Sequence, residues 1–188
     1  MLGYFTMNAK VSKEIASIYT CHVDALFTYG VNLGFEREVV EDAIHDIFIK
    51  LSLDKEILNN VINMKFYLYR SLKNRLIDIH KYQKEEIQTE STDILLELPF
   101  NITVSVENIL IEQEEKKLIK NEIEGMLNTL TDRQREVIYL RYVQEYTYEQ
   151  IAELMQINVH SCRKLVSKAI VNLREKFGVL IMFISALA

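Results

Sequence analysis

Between positions 160 and 168 the chain gathers His160, Ser161, Arg163, Lys164, Ser167 and Lys168, with Asn158 just ahead of them. Wound into a helix that turns Cys162, Leu165, Val166, Ala169, Ile170 and Leu173 toward a core, these polar side chains fall together on the opposite side, near the helix's N-terminal end. The chemistry this suits is recognition of DNA. Cationic side chains release counterions from phosphates, while His, Ser, Arg and Lys donate to acceptors on major-groove base edges. The surrounding segment, YEQIAELMQINVHSCRKLVSKAIVNLREKF from Tyr148 to Phe177, has helix-turn-helix spacing. Ile151, Met155, Ile157, Cys162 and Leu165 place apolar groups where two steeply crossing helices bury them, and the small Ala152 lets the backbones approach. The turn position usually filled by glycine is Gln156, which must go left-handed at some cost or use a different turn.

Two further sets carry polar chemistry. Glu41, Asp42, His45, Asp46 and Lys50 recur at three- and four-residue spacing on one face of a helix, as a docking surface for another protein requires. Arg70, Lys73, Asn74, Arg75, Lys81 and Lys84 make a basic set on another, with Asn74 and Asp78 as candidate base readers and Tyr67, Tyr69 and Tyr82 supplying rings. Some of those rings must pack in the core. Asp42, His45 and Asp46 also stand at i, i+3 and i+4, the start of a metal-binding pattern. A di-iron bundle needs a second such His motif and two more inward carboxylates, and the chain has neither. No glycine-rich phosphate loop is visible, and neither Cys21 nor Cys162 has a nearby His to activate it. No catalytic residue, metal or cofactor is therefore expected, and no enzyme activity.

The elements that must position these groups are helices. Five Gly and one Pro in 188 residues leave few tight turns for a β-sandwich or barrel, and 49% hydrophobic residues suffice for a core. Apolar spacing of three and four predicts a helix over Val11–Leu33, ended by Asn32 and Gly34. A second is expected from about Glu36 to Leu51 and a third from about Asn63 to Lys84, with a polar break at Asp54–Asn60 between them. Residues 85–104 lose periodicity, hold Pro99 and mix acids with Ser and Thr, which predicts a linker. Ser105 can cap an acidic helix reaching about Leu127. Thr131 with Gln134 and Thr147 with Gln150 match the capping-box spacing, and a last helix should run from the Asn158 cap to Phe177, before Gly178. Net charge is +1 over residues 1–84, −8 over 85–128 and +2 over 129–188, so the overall −5 conceals an acidic middle between two cationic ends.

The fold class expected is all-α, with two small helical domains, 1–84 and 105–177, joined by an acidic linker over 85–104 and followed by an apolar tail, 178–188. The tail would reach only about 16 Å as a helix against the ~30 Å of a bilayer core, so no membrane insertion is expected. Two cysteines and no basic-then-apolar leader point to a reducing cytoplasm.

Two separated stretches resemble the sigma factors of bacterial RNA polymerase, in their small two-domain extracytoplasmic-function group. LTDRQREVIYLRYVQEYTYEQIAELMQINVHSCRKLVSKAIVNLREKF is similar to region four, which in the family binds the minus-35 promoter element. The span from about Ile18 to Lys84 is similar to region two, VVEDAIHDIFIKL matching the polymerase-binding helix and FYLYRSLKNRLIDIHKYQK the minus-10 recognition helix. The resemblance implies that Asn158, His160, Ser161, Arg163, Lys164, Ser167 and Lys168 meet the minus-35 element. It implies minus-10 contacts for Arg70, Lys73, Asn74, Arg75, Asp78 and Lys81, with Asn59, Asn60 and Asn63 in the preceding loop where the family holds an extruded base. Glu41, Asp42, His45, Asp46 and Lys50 would then meet the polymerase clamp, His45 standing where the family often has Gln. Tryptophan is absent, so the tryptophan wedge of housekeeping sigma factors cannot operate. The acidic middle fits a connector threaded through a basic polymerase channel.

The implied function is that of a sequence-specific initiation factor which brings the polymerase core, through its beta and beta-prime subunits, to promoter DNA and assists opening. A monomer when free and an anti-sigma partner are also implied. The alternative is a helix-turn-helix regulator, response-regulator-like or dimeric, that acts without being a polymerase subunit. A receiver domain would need buried strands before the linker, where helices are expected.

Overall fold

A computed structural model describes residues 2–85, 98–102 and 113–185. The expected linker residues 86–97 and 103–104, the Ser105 cap with the start of its helix, and the tail end 186–188 lie outside the described residues. Among those described there is no strand, and the chain divides into two compact units, Met1–Glu97 and Leu98–Ala188.

The N-terminal unit is built from α1 (Leu2–Asn32), α2 (Arg37–Leu53), α3 (Lys55–Asn60) and α4 (Met64–Glu85). Helix α1 starts nine residues before the expected Val11, and Gly34, at φ 84°, turns the chain after it. Asp54 accepts a hydrogen bond from the Glu56 amide at 3.0 Å and so caps α3, a short helix where a polar break was expected. The core is laid down by the apolar faces read from spacing: Leu26, Tyr29 and Leu33 of α1, Val40, Ala43, Ile44, Ile47, Phe48 and Leu51 of α2, and Leu68, Tyr69, Leu72, Leu76 and Ile77 of α4 are all buried. Tyr69 is wholly a core residue. Its ring lies 5.0 Å from that of Tyr29, and its hydroxyl donates to the Ala25 carbonyl at 3.3 Å. Gly30 lets α1 and α2 approach closely, since a Cβ there would fall 2.5 Å from Val40 Cγ1.

The C-terminal unit holds α5 (Gln113–Leu127), α6 (Asp132–Ile138), a π-helical turn (Tyr139–Val143), α7 (Tyr148–Leu154) and α8 (Val159–Ser185). Both capping boxes form, Thr131 with Gln134 and Thr147 with Gln150, each pair exchanging side-chain and backbone hydrogen bonds. Helix α8 does not stop at Phe177; it runs through Gly178 to Ser185. A glycine inside a helix costs only about 1 kcal/mol relative to alanine and so need not end one.

Part of the expected linker is docked. Phe100 is 1% exposed, its ring 5.5 Å from that of Tyr139. Its amide donates to Asp132 Oδ1 at 2.9 Å, and its carbonyl accepts from Arg135 Nε, whose guanidinium also pairs with Asp132. Around this clasp, Leu130, Val137, Leu140, Ile151, Leu154, Met155, Cys162, Val166 and Ala169 close the core.

Candidate nucleic-acid interface

Helix α8 is presented by two local devices. The Thr147–Gln150 box fixes where α7 begins, and a turn built on Gln156 fixes how α8 leaves it. Gln156 has φ 53°, the left-handed one of the two alternatives its place in the sequence allowed. The Ile157 amide reaches back to the Ala152 carbonyl at 2.9 Å and the Gln156 amide to Glu153 at 3.2 Å, the paired hydrogen bonds of a Schellman ending. Asn158 then caps α8, its Oδ1 accepting from the Ser161 amide at 2.7 Å.

With Cys162, Val166 and Ala169 buried beneath, His160, Ser161, Arg163, Lys164, Ser167 and Lys168 all stand exposed on the outer face. Burial and, to a lesser degree, the Glu149 charge push the Cys162 thiol up from its ordinary pKa, although Arg141 and Arg163 pull the other way; it stays a protonated packing group. Three residues beside this face were not singled out in the sequence. Arg141 and Arg163 each lie over the ring of Tyr148, and Arg163 is 3.6 Å from Glu149. Arg141 lies within the π-helical turn and Glu145, at φ 60°, stands between it and Tyr148, so no helical periodicity links them.

In the N-terminal unit, Glu41, Asp42, His45, Asp46 and Lys50 are exposed along α2, as their spacing requires. A groove of about 780 Å³ runs between this helix and α1, lined by Glu41, Asp42 and His45 together with Tyr19, Asp24, Phe27, Arg37 and Ile49. The contribution of α1 had no signal beyond its ordinary amphipathic pattern.

On α4, Arg70, Asn74, Arg75 and Asp78 are exposed and Lys81 is half-buried. Lys73 departs from the expected basic face: it is 6% exposed, because four-residue spacing puts it one step from Tyr69 and Ile77, both in the core. Tyr82 is 69% exposed and Tyr67 half-buried. Asn59 and Asn60 end α3 and are exposed, whereas Asn63 is engaged as the cap of α4, accepting from the Phe66 amide at 2.9 Å. Arg75 donates from Nε and Nη2 to Asp46 Oδ2, at 3.1 and 2.8 Å, so one member of the expected DNA set is bonded to one member of the docking set.

Among the described residues no group of three or more His, Cys, Asp or Glu side chains could hold a metal ion, and no helix is long and apolar enough to cross a membrane.

Residues 120–173 match the family Sigma-70, region 4. Over 155 residues, 82% of this chain and 90% of the relative, the sequence is 21% identical to the ECF RNA polymerase sigma factor SigM of Bacillus subtilis (strain 168). Over most of its length the chain is thus similar to a sigma factor of the extracytoplasmic-function group, and its C-terminal unit to region 4 of the sigma-70 family. Two solved structures share its fold: the sigma factor RpoE in complex with the anti-sigma factor NepR from Bartonella quintana, and CnrH in complex with the cytosolic domain of CnrY. The first covers 89% of this chain and 98% of its own, with 20% identity and a TM-score of 0.58. The second covers 90% and 94%, with 15% identity and a TM-score of 0.51.

Proposed function

We propose that this chain is a sigma factor that initiates transcription, engaging the bacterial RNA polymerase core through its beta and beta-prime subunits and directing it to promoters by two separate DNA-reading surfaces. The observation that carries the reading is the outer face of α8: six donor side chains exposed on the N-terminal part of one helix, held there by a capping box, a Schellman turn and the Asn158 cap. Lys164 and Lys168 supply the salt-dependent hold on phosphates, and His160, Ser161, Arg163 and Ser167 add hydrogen-bond donors at the groove. Asn158 acts through its cap.

The second surface is α4 with the α3–α4 loop. Arg70, Asn74, Arg75, Asp78 and Lys81 face the minus-10 element, and Asn59 and Asn60 are placed to hold an extruded base, while Asn63 shapes the loop by capping α4. Lys73 is not part of this surface. The polymerase meets Glu41, Asp42, His45, Asp46 and Lys50 and the groove between α1 and α2. Domains 1–84 and 105–177 perform these roles, and the acidic segment between them fits a basic channel of the enzyme. The factor is a cytoplasmic monomer when free and does no chemistry of its own. The RpoE structure with NepR supports an anti-sigma partner for this chain too.

Run-off transcription over a genomic fragment library, with purified core polymerase and with or without the chain, tests the reading. Discrete start sites that appear only with the chain are expected. Their absence, with binding of the chain as a dimer to palindromic duplex, would instead identify a plain helix-turn-helix regulator.

A further inference from the structure

Tyr148 opens α7 and has two guanidinium groups over its ring, Arg141 at 4.9 Å and Arg163 at 5.5 Å from the centroid. Arg141 is anchored, donating from Nη1 to the Tyr146 carbonyl at 2.9 Å. Arg163 arrives from the reading helix, and its Nη2 lies 3.6 Å from Glu149 Oε1. The Arg163 and Glu149 side chains are 61% and 66% exposed, so stability does not account for the arrangement. What it does is restrict a long, rotamer-rich side chain. A ring face and a carboxylate on α7 together narrow the directions in which the fork of Arg163 can point, which lowers the ordering cost of a bidentate contact. Hydrogen bonds from its own backbone amide and the Thr147 side chain, with Arg163 and Arg141 nearby, hold the Glu149 carboxyl below its ordinary pKa, so it is ionised wherever the protein works. An ionised carboxylate beside a phosphate-binding face also repels DNA of every sequence.

Building on the assignment of α8 as the minus-35 reader, we propose that Tyr148 and Glu149 set the base preference of this surface. Tyr148 positions Arg163, and Glu149 buttresses its guanidinium so that the remaining N–H edge meets the paired acceptors of a guanine in the major groove. Glu149 at the same time weakens binding to duplexes that offer no such guanine. Neither residue touches the base; both act through Arg163.

The test uses the full chain. A duplex is first selected from a random pool, and dissociation constants are then measured for it, for its single guanine-to-adenine variants and for an unrelated duplex. Wild type should prefer guanine at one position by about tenfold or more, the range of one good bidentate contact. Glu149→Ala should cut that ratio about fivefold while tightening binding to the unrelated duplex. Tyr148→Leu should lose the ratio and Tyr148→Phe, which keeps the ring, should restore it; circular dichroism establishes that each variant is folded. Wild-type ratios in both Glu149→Ala and Tyr148→Leu would overturn the inference while leaving α8 as the reader. Failure of the wild type to select any sequence would overturn both.

Discussion

Replacing Gly30 by Ala would put a methyl group into the contact between α1 and α2. The new Cβ would stand 2.5 Å from Val40 Cγ1, 2.9 Å from Cγ2 and 3.3 Å from Cβ. Rotating Val40 gives no escape. Its two methyls share three staggered positions, the two now occupied both face Gly30, and any rotation leaves at least one of them filled. The helices must therefore part by about 1 Å to reach ordinary carbon contact distance. Overpacking of this kind costs about 1–3 kcal/mol, against the gain of about 1 kcal/mol that alanine brings to a helix interior. A net loss of up to about 2 kcal/mol in the N-terminal unit is expected. Gly125→Ala in α5 is the control, because a Cβ there meets nothing within 4 Å; it should stabilise the C-terminal unit by about 0.5–1 kcal/mol. Urea unfolding followed by far-UV circular dichroism reads both, and adding Val40→Ala to Gly30→Ala should recover at least about 1 kcal/mol relative to the sum of the single changes. If Gly30→Ala stabilised as much as Gly125→Ala, or the double variant were simply additive, the close approach of α1 and α2 would be refuted.

Gln156→Gly should stabilise the C-terminal unit by about 1 kcal/mol, by relieving a left-handed side-chain residue at φ 53°; an unchanged melting temperature would mean that the turn is not strained. Burial raises the Asp132 pKa, but the Phe100 amide and Arg135 outweigh it, so the carboxyl sits below its ordinary 3.8. A depressed carboxyl gives stability that is present above the unfolded value and lost as pH falls through the folded one. Asp132→Asn should thus weaken the C-terminal unit at neutral pH and leave a smaller loss on acidification below about pH 4; equal acid sensitivity in both proteins, followed by circular dichroism, would count against the Phe100 clasp. Replacing both Arg163 and Lys164 by Ala should weaken promoter binding and lower the magnitude of its salt slope by about one, for the phosphate contact of Lys164, and unchanged transcription at every salt concentration would remove the assigned face.

The faces of α2 and α4 were legible because apolar residues at three- and four-residue spacing leave little freedom in what is buried. The starts of α6 and α7 were legible because a Thr followed by Gln three residues later has a local mechanism that tertiary structure need not supply. At Gln156 the sequence left a left-handed residue or a different turn open, and the structure takes the first, at φ 53°. Lys73 was not legible, since its charge argued for the surface while its position on the helix argued for the core, and position won. Phe100 was hidden by its neighbours: the short stretch of Leu98, Pro99, Phe100, Asn101 and Ile102 is interrupted by proline and too brief to establish a period, and its burial depends on Asp132 and Arg135 more than thirty positions away. The pairing of Tyr148 with Arg141 crosses a π-helical turn and a left-handed Glu145, which break the register that a helical reading would use.

The Asp46–Arg75 pair bears on how the proposed polymerase and DNA surfaces are to be told apart by mutation. Both side chains are about half exposed, so the bond itself contributes less than about 1 kcal/mol, and its loss will not unfold the unit. Its consequence is for assignment. Asp46→Lys would remove a carboxylate from the docking face and also place a cation beside Arg75, disturbing the proposed minus-10 surface in one step. Asp46→Asn with Arg75→Gln as a matched pair separates the two, because neither leaves a repelling charge behind. Loss of co-purification with core polymerase in Asp46→Asn alone, with weakened binding to single-stranded minus-10 DNA in Arg75→Gln alone, is the outcome expected if α2 and α4 serve different partners. Equal defects of both variants in both assays would mean that the ion pair is one functional unit and that the division into two surfaces is wrong.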